Sequence, residues 1–102
     1  MNQQVMMRKI MKMKQEMEQT QKEICESEFT ASVNGLVTVT VLGTKHLTKI
    51  EVSEDFEVAD SSDIEMLTDM IVAACNKAYD DVDKTTEQKM AKYQAMLGGL
   101  PF

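Results

Sequence analysis

Hydrophobic and polar residues alternate with period two in one stretch of the chain, Asn34 to Val52 (NGLVTVTVLGTKHLTKIEV). Val37, Val39 and Val41 point to one face of a strand there, and Leu36, Thr38, Thr40 and Leu42 to the other, a pattern suited to a half-buried pleated surface. Asn34-Gly35 is a strong turn signal because both residues tolerate positive φ, and EFTASV (28–33) precedes it as a partner strand. A two-residue loop would place Phe29 and Ala31 on the threonine side of the sheet. A three-residue connection through Asn34-Gly35-Leu36 pairs Val33 with Val37, Ala31 with Val39 and Phe29 with Val41, which gathers the apolar residues on one face. LTKIEV (47–52) extends that face with Ile50 and Val52. The reading is a three-stranded antiparallel meander, strands at about 28–33, 36–42 and 47–53, that buries Val37, Val39, Val41, Ile50 and Val52 and leaves Thr38, Thr40, Lys49 and Glu51 opposite.

Two longer segments carry the helical period instead. From residue 2 to about 25 there is no glycine or proline, and Met6, Ile10, Met13, Met17, Thr20 and Ile24 recur at alternating spacings of four and three. That heptad seam predicts a helix packed lengthwise against another helix, and it makes Met6, Ile10, Met13 and Met17 the candidate dimer interface. After the acidic connection SEDFEVADSS (53–62), Ser62-Asp63-Ile64-Glu65 has capping-box spacing. A second helix is predicted over about 63–97, with Ile64, Leu67, Ile71, Ala74, Ala78, Val82, Met90, Tyr93 and Leu97 on its stripe, stopped by Gly98-Gly99 and Pro101. At about 1.5 Å per residue the helices run ~35 and ~50 Å, against ~20 Å for a six-residue strand. Both outrun the sheet, and a second copy of the chain is expected to bury the overhanging stripes.

The 102 residues are therefore read as one α+β domain, 1–102, of α-β-β-β-α order, with a three-stranded antiparallel sheet flanked by two long helices. Aromatic residues are only 5%, so few rings anchor a monomeric interior, and methionine takes their place. Six of the ten methionines fall in the first seventeen residues, which fits a plastic binding groove but fits helix–helix packing inside an oligomer better. Cys25 and Cys75 are isolated, and His46 is the sole histidine, so a metal site or redox motif lacks ligands. Cys75 reads as a small core residue and Cys25 as a free thiol at a helix end. With no glycine-rich phosphate loop and no nucleophile beside a plausible base, no catalytic residue, cofactor or small-molecule substrate is expected. The apolar runs are too short to span a bilayer, and the first residues lack the apolar core of a secretory signal, so a cytoplasmic location without membrane contact is expected.

Charge is arranged rather than mixed. Residues 1–14 carry Arg8, Lys9, Lys12 and Lys14 and no acid; residues 51–69 carry eight acids and no base; residues 84–102 carry Lys84, Lys89 and Lys92 against Glu87 alone. The net charge is −6, yet the two helical ends are basic. Laid side by side they would form a local cationic surface able to hold a phosphate backbone, which makes these seven residues the candidate phosphate contacts.

The segments MRKIMKMKQEMEQTQKEI, NGLVTVTVLGTKHLTKIEV, DMIVAACNKAYDDVDKTTEQKM and LGGLPF together resemble the YbaB/EbfC family of bacterial nucleoid-associated proteins, over nearly the whole chain. Val33-Asn34-Gly35 stands where the family has a more glycine-rich turn. The resemblance implies a tweezer-like homodimer with paired helices that binds double-stranded DNA and alters its conformation at the nucleoid, without enzymatic activity. The alternative is a non-enzymatic protein-interaction module, a prefoldin-like holdase presenting methionine-rich helices to other proteins.

Overall fold

The computed structural model describes residues 2–98 and has the order α1 (Gln3–Glu26), β1 (Glu28–Val33), β2 (Val37–Leu42), β3 (Leu47–Val52) and α2 (Ser61–Gly98). The glycine-proline stop foreseen for α2 at Gly99 and Pro101 lies outside the described residues. The strands form one sheet in the order β1-β2-β3, all antiparallel. Asn34 and Gly35 both take positive φ, 55° and 67°, and the Leu36 amide donates to the Val33 carbonyl at 3.0 Å. The pairing is Val33 with Val37, Ala31 with Val39 and Phe29 with Val41, the register that puts these six apolar side chains on one face.

Between β2 and β3 the register slips: Thr40 faces Lys49 while Val41 faces Leu47, leaving Thr48 as one extra residue in β3. The slip turns Leu47 onto the same face as Ile50 and Val52, and Thr48 Oγ1 donates to the Thr40 carbonyl at 3.1 Å. The apolar face is thus three strands wide, but only two are covered. Val37, Val39 and Val41 are fully buried, together with Ala31 and with Met70, Ala74, Ala78 and Val82 of α2. Ile50 and Val52, expected in this core, remain 42% and 43% exposed. The reason is width: one helix about 10 Å across covers two strands about 4.8 Å apart, and α2 lies over β1 and β2. Alanine at 74 and 78 lets the helix backbone settle close to the valines, and each buried valine contributes roughly 1.5–3 kcal/mol.

α2 begins at Ser61, and its cap lies two residues before the predicted one. Asp60 accepts hydrogen bonds from the Ser62 hydroxyl and, at 2.8 Å, from the Ser62 amide, while Asp63 accepts from the amides of Ala59 and Asp60. This is a reciprocal capping box on Asp60 and Asp63 rather than on Ser62 and Glu65. Two carboxylates at the positive end of the helix dipole outdo a serine and a glutamate displaced into the first turn. The Ser62 hydroxyl, and then its amide, hold the Asp60 carboxyl below the usual carboxylate range.

The helices outrun the sheet, giving a molecule 72 Å long and 20 Å by 16 Å across. The overhanging parts pair with each other inside the one chain. Met13 is 5% and Tyr93 2% exposed, and the Thr20 hydroxyl and the Tyr93 phenol share a 3.1 Å hydrogen bond across the seam. The stripe that the heptads assigned to a second copy is therefore covered at Met13 by α2, and Met6, Ile10 and Met17 are left half-buried. This helix pair, the arm, joins the body at Gly43: a Cβ there would lie 1.8 Å from the Ile24 carbonyl oxygen, and the Gly43 amide donates to Ser27 O at 3.0 Å. Ile24, 1% exposed, closes the joint.

Candidate nucleic-acid interface

All seven cations singled out by charge lie on the arm or its root, and all are exposed. Exposure alone does not make a surface, because side chains on a helix point wherever 3.6 residues per turn sends them. Lys9 and Lys12 line a shallow recess with Met13, Glu16 and Met96, which puts them on the flank of α1 that borders α2. Lys92 precedes Met96 by four residues and Lys89 by seven, so both project from the same side of α2 as Met96. Lys9, Lys12, Lys89 and Lys92 consequently share one face, two from each helix, on either side of the seam.

The remaining three are placed differently. Arg8 is one turn from Lys12 and sits at the outer border of the face. Lys14 is about 200° round α1 from Lys12 and lines a separate recess with Met11, Gln15 and Glu18. Lys84 lies eight residues before Lys92, about 12 Å nearer the sheet and about 80° off the face. Charge order along the chain could not separate these groups, because the division depends on the phase with which the two helices meet.

Two details fix the face. The Tyr93 ring, held at the seam by Thr20, lies with its centroid 4.9 Å from the Lys92 ammonium, which draws that cation to the seam edge. At the root, Lys45, in a left-handed conformation with φ 68°, reaches Asp83 at 2.8 Å and offsets one of the acids beside Lys84. Neither contact was foreseen; a lysine at positive φ in a turn lacking a second glycine has no reliable sequence signal. The acidic end is remote from all this. Lys89 stands twenty residues along α2 from Asp69, about 30 Å, against a screening length of about 8 Å at physiological salt. Among the described residues no group of three or more potential metal ligands occurs, and no helix is long and apolar enough to cross a membrane.

The arrangement is a narrow cationic ridge with an apolar floor, suited to an extended polyanion and without the enclosed polar cluster a small substrate needs. The chain's fold is similar to that of an uncharacterized protein from Helicobacter pylori, HP0035, in its crystal structure: TM-score 0.65, 20% identity, covering 94% of this chain and 98% of that one. It is 41% identical over 103 aligned positions to a nucleoid-associated protein of Streptococcus suis, covering all of this chain and 99% of the relative. A nucleoid-associated protein of Agathobacter rectalis is 42% identical over 95 positions, 92% of this chain and 82% of the relative. One from Clostridium acetobutylicum is 43% identical over 90 positions, 87% of this chain and 76% of the relative. The sequence profile of the YbaB/EbfC DNA-binding family matches residues 1–97, and the chain belongs to that family.

Proposed function

We propose that this chain is a nucleoid-associated protein that binds double-stranded DNA as a homodimer and alters its conformation, with no catalytic step and no cofactor, in the cytoplasm at the nucleoid. The observation that carries the DNA contact is the shared face of Lys9, Lys12, Lys89 and Lys92, interrupted by Glu16 but remote from the acidic run of residues 51–69. Ammonium groups on flexible stems neutralise phosphates with little base readout, so the binding is weak in sequence preference and steep in salt dependence. Arg8 and Lys84, at the border and the root of that face, extend the contact, whereas Lys14 lies on the opposite flank of α1 and outside it.

The dimer rests on the uncovered third of the sheet. Leu47, Ile50 and Val52 present an apolar strip 37%, 42% and 43% exposed, beside the free edge of β3. An apolar edge strand of six residues invites pairing, and a second copy bringing the same strip closes both at once. Half-buried Met6, Ile10 and Met17 remain available to widen that contact, whereas Met13 is already covered.

The test is a salt titration of duplex binding by fluorescence anisotropy. If four phosphates are neutralised in all, the logarithm of affinity falls with the logarithm of salt with a slope of roughly −3 to −4. Replacing Lys9, Lys12, Lys89 and Lys92 by alanine flattens that slope and weakens binding, while Lys14→Ala and Lys84→Ala change it far less. An unaltered slope in the quadruple variant would remove this face from the contact.

A further inference from the structure

On the flank of α2 away from β3, Val33, Ser62, Glu65, Met66, Asp69, Met70 and Ala73 line an open cleft of about 430 Å³. Its floor is apolar and its rim acidic. The arm carries the converse surface. Met7, Met11 and Lys14 follow one another at i, i+4 and i+7, so they form one stripe, and both methionines are left in water, 61% and 59% exposed. We propose that the Met7–Met11–Lys14 stripe of one copy docks in the Met66–Met70 cleft of another, with Lys14 against Glu65 and Asp69, so that the protein associates head to tail into open chains.

The charges support this occupant. Residues 51–69, which lead up to and line the cleft, hold eight acids and no base, while residues 1–14 hold four bases and no acid. These opposite ends belong to a molecule 72 Å long, so the arm cannot reach its own cleft and must find another copy's. The dimensions agree as well: from Met7 to Lys14 is about 10 Å of helix, and from Ser62 to Ala73 about 16 Å. A helix presenting i, i+4, i+7 anchors to a hydrophobic groove is a common mode of recognition, and methionine adapts to such grooves. Arm and cleft are different patches, so the contact does not close on itself and each copy leaves one of each free.

Two other surfaces stay open in such a chain. The cleft lies toward Val33 of β1, at the sheet edge opposite β3, so the strip of Leu47, Ile50 and Val52 is free for pairing. Lys14 and Lys12 point to opposite flanks of α1, so the four-lysine face stays exposed along the assembly. Head-to-tail association therefore adds to DNA binding rather than competing with it, and it does not depend on DNA.

Sedimentation velocity on the full-length protein without DNA, over a concentration series at low and at moderate salt, tests the proposal. The wild type is expected to grow in mass beyond the dimer as concentration rises and to fall back as salt is added. Met7→Ser with Met11→Ser abolishes the growth, as does Lys14→Glu or Asp69→Lys alone; Lys14→Glu combined with Asp69→Lys in one chain restores it. All four positions are at the surface, and circular dichroism checks that each variant is folded. A mass that stays fixed across the series, a methionine variant that grows like the wild type, or a double charge reversal that stays as low as either single one overturns the proposal. If Asp69→Lys abolishes growth while Lys14→Glu and the methionine pair leave it unchanged, the cleft takes a different segment and the assignment of the arm is wrong.

Discussion

The body and the arm are built from the same helix, α2, yet they hold together by different means. Over the sheet, α2 presents Ala74 and Ala78 to Val37, Val39 and Val41, all five without exposed surface, in a layer of small and branched side chains with few rotamers to choose from. Along the arm the same helix meets α1 through Met13, Tyr93 and one hydroxyl–phenol hydrogen bond, with the other seam residues half in water. Stability is concentrated where β-branched residues interlock, and the cations sit where packing is looser. A surface that must fit the varying groove of a polyanion gains from flexible methionines under it; a fold that must persist without its ligand does not.

The largest blow to this division comes from Val39→Asp. A carboxylate in a layer with no water and no partner costs several kcal/mol, more than half the stability of many small domains, so the cooperative thermal transition followed by circular dichroism disappears. Were the arm the main support instead, the variant would still melt cooperatively.

Gly43→Ala strikes the joint. The new methyl would stand 1.8 Å from the backbone oxygen of Ile24, and a backbone cannot swing aside like a side chain end. Overpacking of this kind costs about 1–3 kcal/mol, at the upper end here, read as a lowered denaturation midpoint. Body amides keep their relative protection in hydrogen exchange while α1 amides near Ile24 lose theirs.

Tyr93→Phe removes the Thr20–Tyr93 hydrogen bond across the arm and leaves Thr20 half-buried without it, for about 1 kcal/mol. Faster exchange confined to the arm, with the sheet unchanged, is the expected result; equal acceleration in both regions would mean that they open as one unit. The smallest effect is at the start of α2. The Asp60 carboxyl is held below its usual range by Ser62, so the charged form is favoured in the folded state. That stability is fully present above the ordinary carboxylate range and is lost as pH falls through the lower folded value. Asp60→Asn keeps a capping oxygen but not the charge, so the acid limb of its stability curve is shallower than that of the wild type.

The hairpin was legible because the Asn34-Gly35 signal and the two-residue period agree on a single register. The bulge had a signal that period-two reading passed over: Leu47 and Ile50 stand three apart, and two residues on one face of a regular strand stand an even number apart. The cap was misplaced because Asp60-to-Asp63 and Ser62-to-Glu65 both have the required spacing, and the choice falls on the pair whose charges meet the helix dipole. The exposure of Ile50 and Val52 depends on the width of one helix over three strands, and the grouping of the lysines on how two helices are rotated against each other. Both are properties of assembled elements, which a pattern along a single element does not contain.

The hydrogen bond between Thr20 and Tyr93 also sets a timetable. Its partners are 73 residues apart, whereas the turn from Val33 to Leu36 closes within four. Closing the longer loop carries the larger entropy loss, so the meander and the α2 turns over it precede the arm in folding. On the ribosome the order is starker. α1 is made first, and at about 5–20 residues per second its partner on α2 follows only after roughly 4–15 s. Through that interval α1 waits with its seam uncovered, and the lysines and glutamines that surround its methionines keep it dissolved until the far half of α2 arrives to cover it.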